Sequence, residues 1–65
     1  MPNWIRTEDK LPLDDIIVHT KIDDKHGVRN ETKLRRSGQL WFFVDGDMYV
    51  YYTPTHWAPV ALASF

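Results

Sequence analysis

Two aromatic, apolar runs joined by an Asp-Gly pair constrain the fold of this chain most. Residues 39–44 read Gln-Leu-Trp-Phe-Phe-Val and residues 48–52 read Met-Tyr-Val-Tyr-Tyr, with Asp45-Gly46 between them. Asp-Gly between such runs is a strong β-hairpin signal, because a type I′ turn needs positive φ at both central residues. Both runs carry large apolar side chains at odd and even positions, which is typical of central strands buried on both faces. We therefore predict a central hairpin over residues 39–52.

A first strand is predicted upstream of this hairpin, over residues 16–22. The segment is rich in β-branched residues, and it alternates so that Ile16, Val18, Thr20 and Ile22 share one face. The polar residues 23–27 end in glycine and predict a longer hairpin loop. The strand therefore has one core face and one wetter face.

A second strand is predicted over residues 28–36, before a tight turn at Ser37-Gly38. Its alternating charges favour an exposed or edge position, with Val28 and Leu34 on the same face. A short helix is the competing interpretation, because Arg, Glu, Lys and Leu favour helices. Asn30 and the flanking turns favour the strand.

The fold class that follows is mainly β, with a small α+β protein as the alternative. We expect a three- to four-stranded antiparallel meander, flanked by extended N- and C-terminal segments, in a single domain over residues 1–65. A chain of 65 residues builds only a marginal core, so its nine aromatic side chains must supply much of the buried area. Homodimerisation or a permanent partner would offset that deficit.

Two tryptophan-containing motifs flank the predicted strands. The N-terminal motif is Trp4-Ile5 followed by Leu11-Pro12, and the C-terminal motif is Thr55-His56-Trp57-Ala58-Pro59. Together with the strand-rich middle, they resemble the DUF551 family of small phage and prophage proteins of unknown function. The resemblance spans the chain and implies a phage or prophage origin, but no activity.

One departure from the family lies after Pro59, where members are usually proline-rich and this chain continues Val-Ala-Leu-Ala-Ser-Phe. That apolar end is expected to pack on the body or on a second subunit. The motif residues themselves are expected to be structural and to flank the sheet: Trp4, Leu11, Pro12, His56, Trp57 and Pro59. His56 is expected to bond a backbone group and orient Trp57.

The sequence argues against enzyme chemistry, and we expect no catalytic residue, metal or cofactor. The chain has no cysteine, and its three histidines lack metal-ligand spacing. Its paired aspartates lie in predicted turns, where Asp favours local bonds and water keeps carboxylates ionised. Without a signal peptide or a long apolar run we expect a cytoplasmic protein, in the host bacterium, with no membrane contact.

The aromatic surplus suggests a binding function. We predict a non-enzymatic accessory protein that binds a bacterial host or host-defence protein through an aromatic β surface. The candidate residues are Trp41, Phe43, Tyr49 and Tyr51, with Arg35 and Arg36 at the rim. The alternative is that the N- and C-terminal segments cover these aromatic side chains and make them part of the core. The first alternative is a single-stranded nucleic-acid-binding module that uses the same aromatics and the basic stretch, which a net charge of −1 disfavours. A small metal-dependent enzyme is the weakest alternative.

Overall fold

The computed structural model describes residues 3–60, which form one antiparallel β-sheet. Its strands are β1 (Ile5–Arg6), β2 (Ile17–Asp24), β3 (Gly27–Ser37), β4 (Leu40–Phe43) and β5 (His56–Pro59). Their order across the sheet is β1-β5-β2-β3-β4. The prediction of a mainly β protein is confirmed: β2, β3 and β4 form the meander, and both terminal segments join it as strands. The apolar residues 61–65, expected to pack on the body, lie outside the described residues.

The alternation predicted in β2 places its apolar residues in the core. Val18, Thr20 and Ile22 are buried, while Ile16 precedes the strand and is half exposed. Thr20 donates its hydroxyl to the Thr32 carbonyl at 2.8 Å, so this buried polar group has a partner. Buried Leu34, Trp41 and Trp57 pack with Val18 to complete the cluster.

Two glycines shape the turns on either side of β3. Gly38 has φ 62° in the two-residue turn between Ser37 and Leu40, as expected of a tight hairpin. Gly27 has φ 102° and pairs with Asp24, so the β2–β3 loop contains only Lys25 and His26. The longer loop predicted there is wrong, because Asp24 accepts a bond from the His26 N–H at 2.9 Å and closes the turn locally.

A β-bulge divides β3 at Asn30. Thr20 pairs with Thr32 but Ile22 pairs with Arg29, so β3 contains one extra residue, and Asn30 has φ 57°. Because of the bulge, the β3 residues that precede Asn30 lie on the opposite face from the one that the alternation predicts. Val28 therefore pairs with Asp23 instead of sharing the face of Leu34, and it is exposed.

The predicted fourth strand is reduced to one bridge beside β4. Phe42 bridges Tyr49, the Phe43 N–H donates to the Met48 carbonyl, and the Val50 N–H donates to the Trp41 carbonyl. Asp45 and Gly46 are not among the positive-φ residues, so the predicted type I′ turn is wrong. Residues 44–47 form a wider connection instead, which shortens the ladder.

The C-terminal motif forms β5, and this displaces the hairpin from the centre of the sheet. Thr20 pairs with Trp57 on one side of β2, and Trp57 pairs with Ile5 on the other side of β5. β4 consequently lies at the margin of the sheet, where Leu40 and Phe43 are half exposed. The centre is β2, and the prediction that residues 39–52 are central strands buried on both faces is wrong.

The sheet has two different faces. The core face carries Ile5, Trp57, Val18, Leu34 and Trp41. Loop residues cover it through bonds from Trp57 Nε1 to the Lys10 carbonyl, at 2.7 Å, and from Arg36 to the Pro12 carbonyl. The opposite face, called the open face below, carries the residues that alternate with these along each strand, such as Ile17, Arg35 and Phe42. Among the residues that the model describes, no helix is long and apolar enough to cross a membrane.

Candidate interaction surface

The structure separates the six side chains that the sequence grouped as interaction candidates. Trp41 is 3% exposed and belongs to the core cluster, so it does not present its ring to a partner. Arg36 lies on the core face, where its guanidinium donates to the carbonyls of Pro12 and Gly38. Phe43 pairs with Leu34 at the margin of the same face. The remaining three, Arg35, Tyr49 and Tyr51, lie together on the open face.

An aromatic surface is formed there by Phe42, Tyr49 and Tyr51, with Arg35 beside them. The rings of Phe42 and Tyr49 meet edge to face, with centroids 5.8 Å apart. Those of Tyr49 and Tyr51 do so at 5.4 Å, and Tyr51 is 92% exposed. Edge-to-face contacts of this kind hold aromatic rings in a defined arrangement. The surface therefore presents an ordered row of rings that ends in an almost fully exposed tyrosine.

Arg35 is fixed in place by three contacts. Its guanidinium carbon lies 5.0 Å from the centroid of the Phe42 ring. Nη2 donates to the Gly46 carbonyl at 3.2 Å, and Nη1 lies 3.4 Å from Asp15 Oδ1. These contacts connect the aromatic surface to the loop 44–47 and to the turn at Asp15, and they engage the positive charge within the protein.

The sequence prediction missed Phe42 because it combined two faces of the hairpin. A connection centred on Asp45-Gly46 pairs Phe43 with Met48 and Phe42 with Tyr49, and this register is the one observed. Opposite residues of an antiparallel pair lie on the same face. Phe42 and Tyr49 therefore belong together, whereas Trp41 belongs with Val50, which packs against the core. The position of Asp45-Gly46 in the sequence was therefore enough to place Phe42 on the same face as Tyr49.

Two concave features adjoin the aromatic surface. A hollow of about 230 Å³ lies between β4 and the following segment, and Leu40, Tyr49 and Tyr51 are among its lining residues. An apolar groove of about 440 Å³ lies at the end of the sheet where β2 begins. Its exposed lining residues include Leu11, Leu13, Ile16 and Ile17. Ile17 pairs with Arg35, so the groove and the aromatic surface meet at this pair.

The basic stretch of β3 is divided by the fold. Arg29 pairs with Asp24 at 2.8 Å, and Arg36 lies 3.0 Å from Asp14. The Arg29 guanidinium, helped by the His26 N–H, lowers the pKa of Asp24 to about 2, and the same contact raises the pKa of Arg29. Because Arg35 and Arg36 point to opposite faces, the stretch does not form one continuous cationic strip.

Within residues 3–60, no three side chains of the His, Cys, Asp or Glu types lie close enough to hold a metal ion. Burial raises the pKa of Tyr52, which keeps its phenol protonated.

The residues of the two tryptophan-containing motifs are divided between the core, the open face and the apolar groove. Trp57 is a core residue, and Trp4 is half buried on the open face, with Lys21 Nζ 4.4 Å from its ring centroid. Pro12 is buried, whereas Leu11 is half exposed in the groove. The exposed Pro59 ends β5.

Within residues 3–60, the His56 side chain does not make the expected bond to a backbone group. Its Nδ1 lies 2.7 Å from Thr55 Oγ1. Thr55 makes the backbone contact instead, because its Oγ1 accepts from the Asp23 N–H at 2.8 Å. Trp57 is oriented by its own bond to Lys10.

No protein-family model matches this chain, and neither a curated protein nor a solved structure matches it. The resemblance to DUF551 therefore stays a prediction.

Proposed function

We propose that this chain is a non-enzymatic protein-binding module and that the aromatic surface contacts the partner. The observation that carries the proposal is the exposure of Tyr51, at 92%, beside Tyr49 and Phe42 in an ordered row. Tyrosine and arginine are enriched among the residues that dominate interface energies.

The partner contacts the face of the sheet in this proposal, and strand addition is disfavoured at both margins. At one margin the edge strand is β1, which has only two residues, and a very short edge strand is a common means of protecting a sheet edge. At the other margin, Met48 and Val50 already bond the outward backbone groups of β4. Side chains are therefore the main source of recognition.

A protein partner is favoured over single-stranded nucleic acid by the state of the cations. Arg29, Arg35 and Arg36 each contact a carboxylate, and Lys21 lies 3.2 Å from Asp23. Lys33 is the member of the basic stretch that has no salt bridge within residues 3–60. Nucleic-acid affinity depends on cations that are free to neutralise phosphates. The DUF551 resemblance supplies the setting: a phage or prophage protein in the bacterial cytoplasm that covers a surface needed by a host or host-defence protein.

The proposal is tested by capturing partners from bacterial lysate with wild type, Tyr51→Ser and Val28→Ser. Both replaced side chains are exposed, so both variants should keep the wild-type circular dichroism and melting temperature. Loss of a central tyrosine contact costs about 2 kcal/mol or more, which is roughly a 30-fold loss of affinity. We expect Tyr51→Ser to lose the partner and Val28→Ser, at the far hairpin, to retain it. Equal capture by both variants would show that the surface is misplaced.

A further inference from the structure

We infer that the partner presents a basic rim around a pocket that receives Tyr51; this inference rests on the proposed function. The first step is the charge next to the aromatic surface. Asp45 and Asp47 lie in the exposed loop 44–47, whose Gly46 carbonyl accepts from Arg35 at 3.2 Å. The loop therefore borders the rings directly, and its two carboxylates face solvent.

The second step is the balance of charge at this end of the sheet. Four carboxylates lie here, those of Asp14, Asp15, Asp45 and Asp47. Three cations lie beside them: Arg35, Arg36 and the exposed Lys33, which is on the same face as Arg35. Both guanidinium groups are engaged by Asp15 and Asp14 and by backbone carbonyls. No salt bridge found within residues 3–60 involves Asp45 or Asp47. Four carboxylates against three cations leave this border of the aromatic surface with one net negative charge.

The third step is complementarity. Interfaces place opposite potentials opposite each other, and charges at the rim mainly accelerate association and exclude wrong partners. An acidic surface would be repelled by Asp45 and Asp47, and so would the phosphates of a nucleic acid. A protein with an apolar pocket surrounded by Lys or Arg residues fits this surface. The pocket would receive the Tyr51 ring, and the cations would face Asp45 and Asp47.

The experiment measures retention of the captured protein from nuclease-treated bacterial lysate, at rising salt. The test variant is Asp45→Asn/Asp47→Asn. Its matched control is Asp9→Asn/Glu31→Gln, which makes the same change in net charge at exposed positions elsewhere. At about 0.15 M salt we expect the test variant to retain about tenfold less partner and the control to match wild type. Wild type should lose the partner progressively as salt screens the charges.

The results distinguish failure of the basic rim from failure of the protein-binding function. A partner that is lost with Tyr51→Ser, but is retained by Asp45→Asn/Asp47→Asn at every salt concentration, overturns the basic rim and leaves the protein-binding function. Capture that is unaffected by Tyr51→Ser, or absent altogether, overturns both. Capture that disappears on nuclease treatment also overturns both, because the bound species is then a nucleic acid. An equal loss in the Asp9→Asn/Glu31→Gln control would also overturn the basic rim, because net charge alone would then be responsible.

Discussion

Trp57 connects the core of the sheet to the loop that covers it. Its ring packs with Val18 and Leu34, and its Nε1–H donates to the Lys10 carbonyl at 2.7 Å. Lys10 is 47 residues away along the chain, so this single bond joins the N-terminal loop to the C-terminal strand. A tryptophan serves both purposes because it combines a large apolar ring with one polar donor.

Trp57→Phe tests that double role at the scale of one residue. Phenylalanine keeps most of the apolar contact but removes the donor, and we expect a loss of about 1–3 kcal/mol in the free energy of unfolding. The matched control is Trp41→Phe, since Trp41 is equally part of the core and donates none of the side-chain hydrogen bonds found in residues 3–60. Urea denaturation measures both. If Trp57→Phe lowers the free energy of unfolding no more than Trp41→Phe does, the bond to Lys10 does not contribute to stability.

The burial of single residues was predictable where strand alternation applies without interruption. Val18, Thr20 and Ile22 alternate on a regular strand, and each is buried as the sequence predicts. For Trp41 the sequence leaves both core and interface open, because side-chain chemistry alone does not distinguish a core tryptophan from an interface tryptophan. Only the pairing of Phe42 with Tyr49 shows which of two adjacent aromatics faces outward.

At the scale of elements, the β2–β3 hairpin is the most regular unit and also contains the main irregularity. The sequence predicts both strands and a turn between them. The bulge at Asn30 was not predictable from β3 alone, because a bulge is a property of the pairing between two strands. Asn is one of the few residues that readily adopts positive φ, so the residue type permits the bulge without requiring it.

The tip of this hairpin should make a pH-dependent contribution to stability. Arg29 and the His26 N–H lower the pKa of Asp24 from 3.8 to about 2 in the folded protein. A carboxylate with a lowered pKa stabilises the fold above its unfolded-state pKa, and that contribution is lost as pH falls through the folded-state value. The window therefore runs from about pH 4 down to about pH 2. Because the pair is exposed, the effect is small.

Asp24→Asn checks this window, because Asn keeps an oxygen acceptor for the His26 N–H and removes the charge that Arg29 contacts. We expect the variant to be slightly less stable than wild type at neutral pH. The difference should shrink to zero as pH falls from about 4 to about 2. Thermal melts of both proteins across this range measure it. A difference that persists at the acidic end would assign the effect to turn geometry instead of charge.

At the scale of the whole molecule, strand order is the feature that the sequence did not disclose. Alternation and turn signals identify local strands, but nothing local places residues 56–59 between β1 and β2. The extended tail was predicted from its prolines, and its position was not. The insertion is explained by burial: Trp57 and Ala58 are both buried when β5 lies beside β2, and this leaves β4 at the margin.

This order predicts that the sheet unfolds as one unit. β5 pairs with β2 on one side and with β1 on the other, so neither terminal strand can leave without exposing Trp57 and the core beside it. We expect urea unfolding followed by far-ultraviolet circular dichroism to coincide with the fluorescence of a variant in which Trp57 is the only tryptophan. A second variant that retains only Trp41 reports on β4, at the far side of the sheet. In each of the two variants, the fluorescence midpoint should agree with that variant's own circular-dichroism midpoint. An earlier transition at Trp57 would instead mean that β5 detaches first and that β2, β3 and β4 persist as an independent meander.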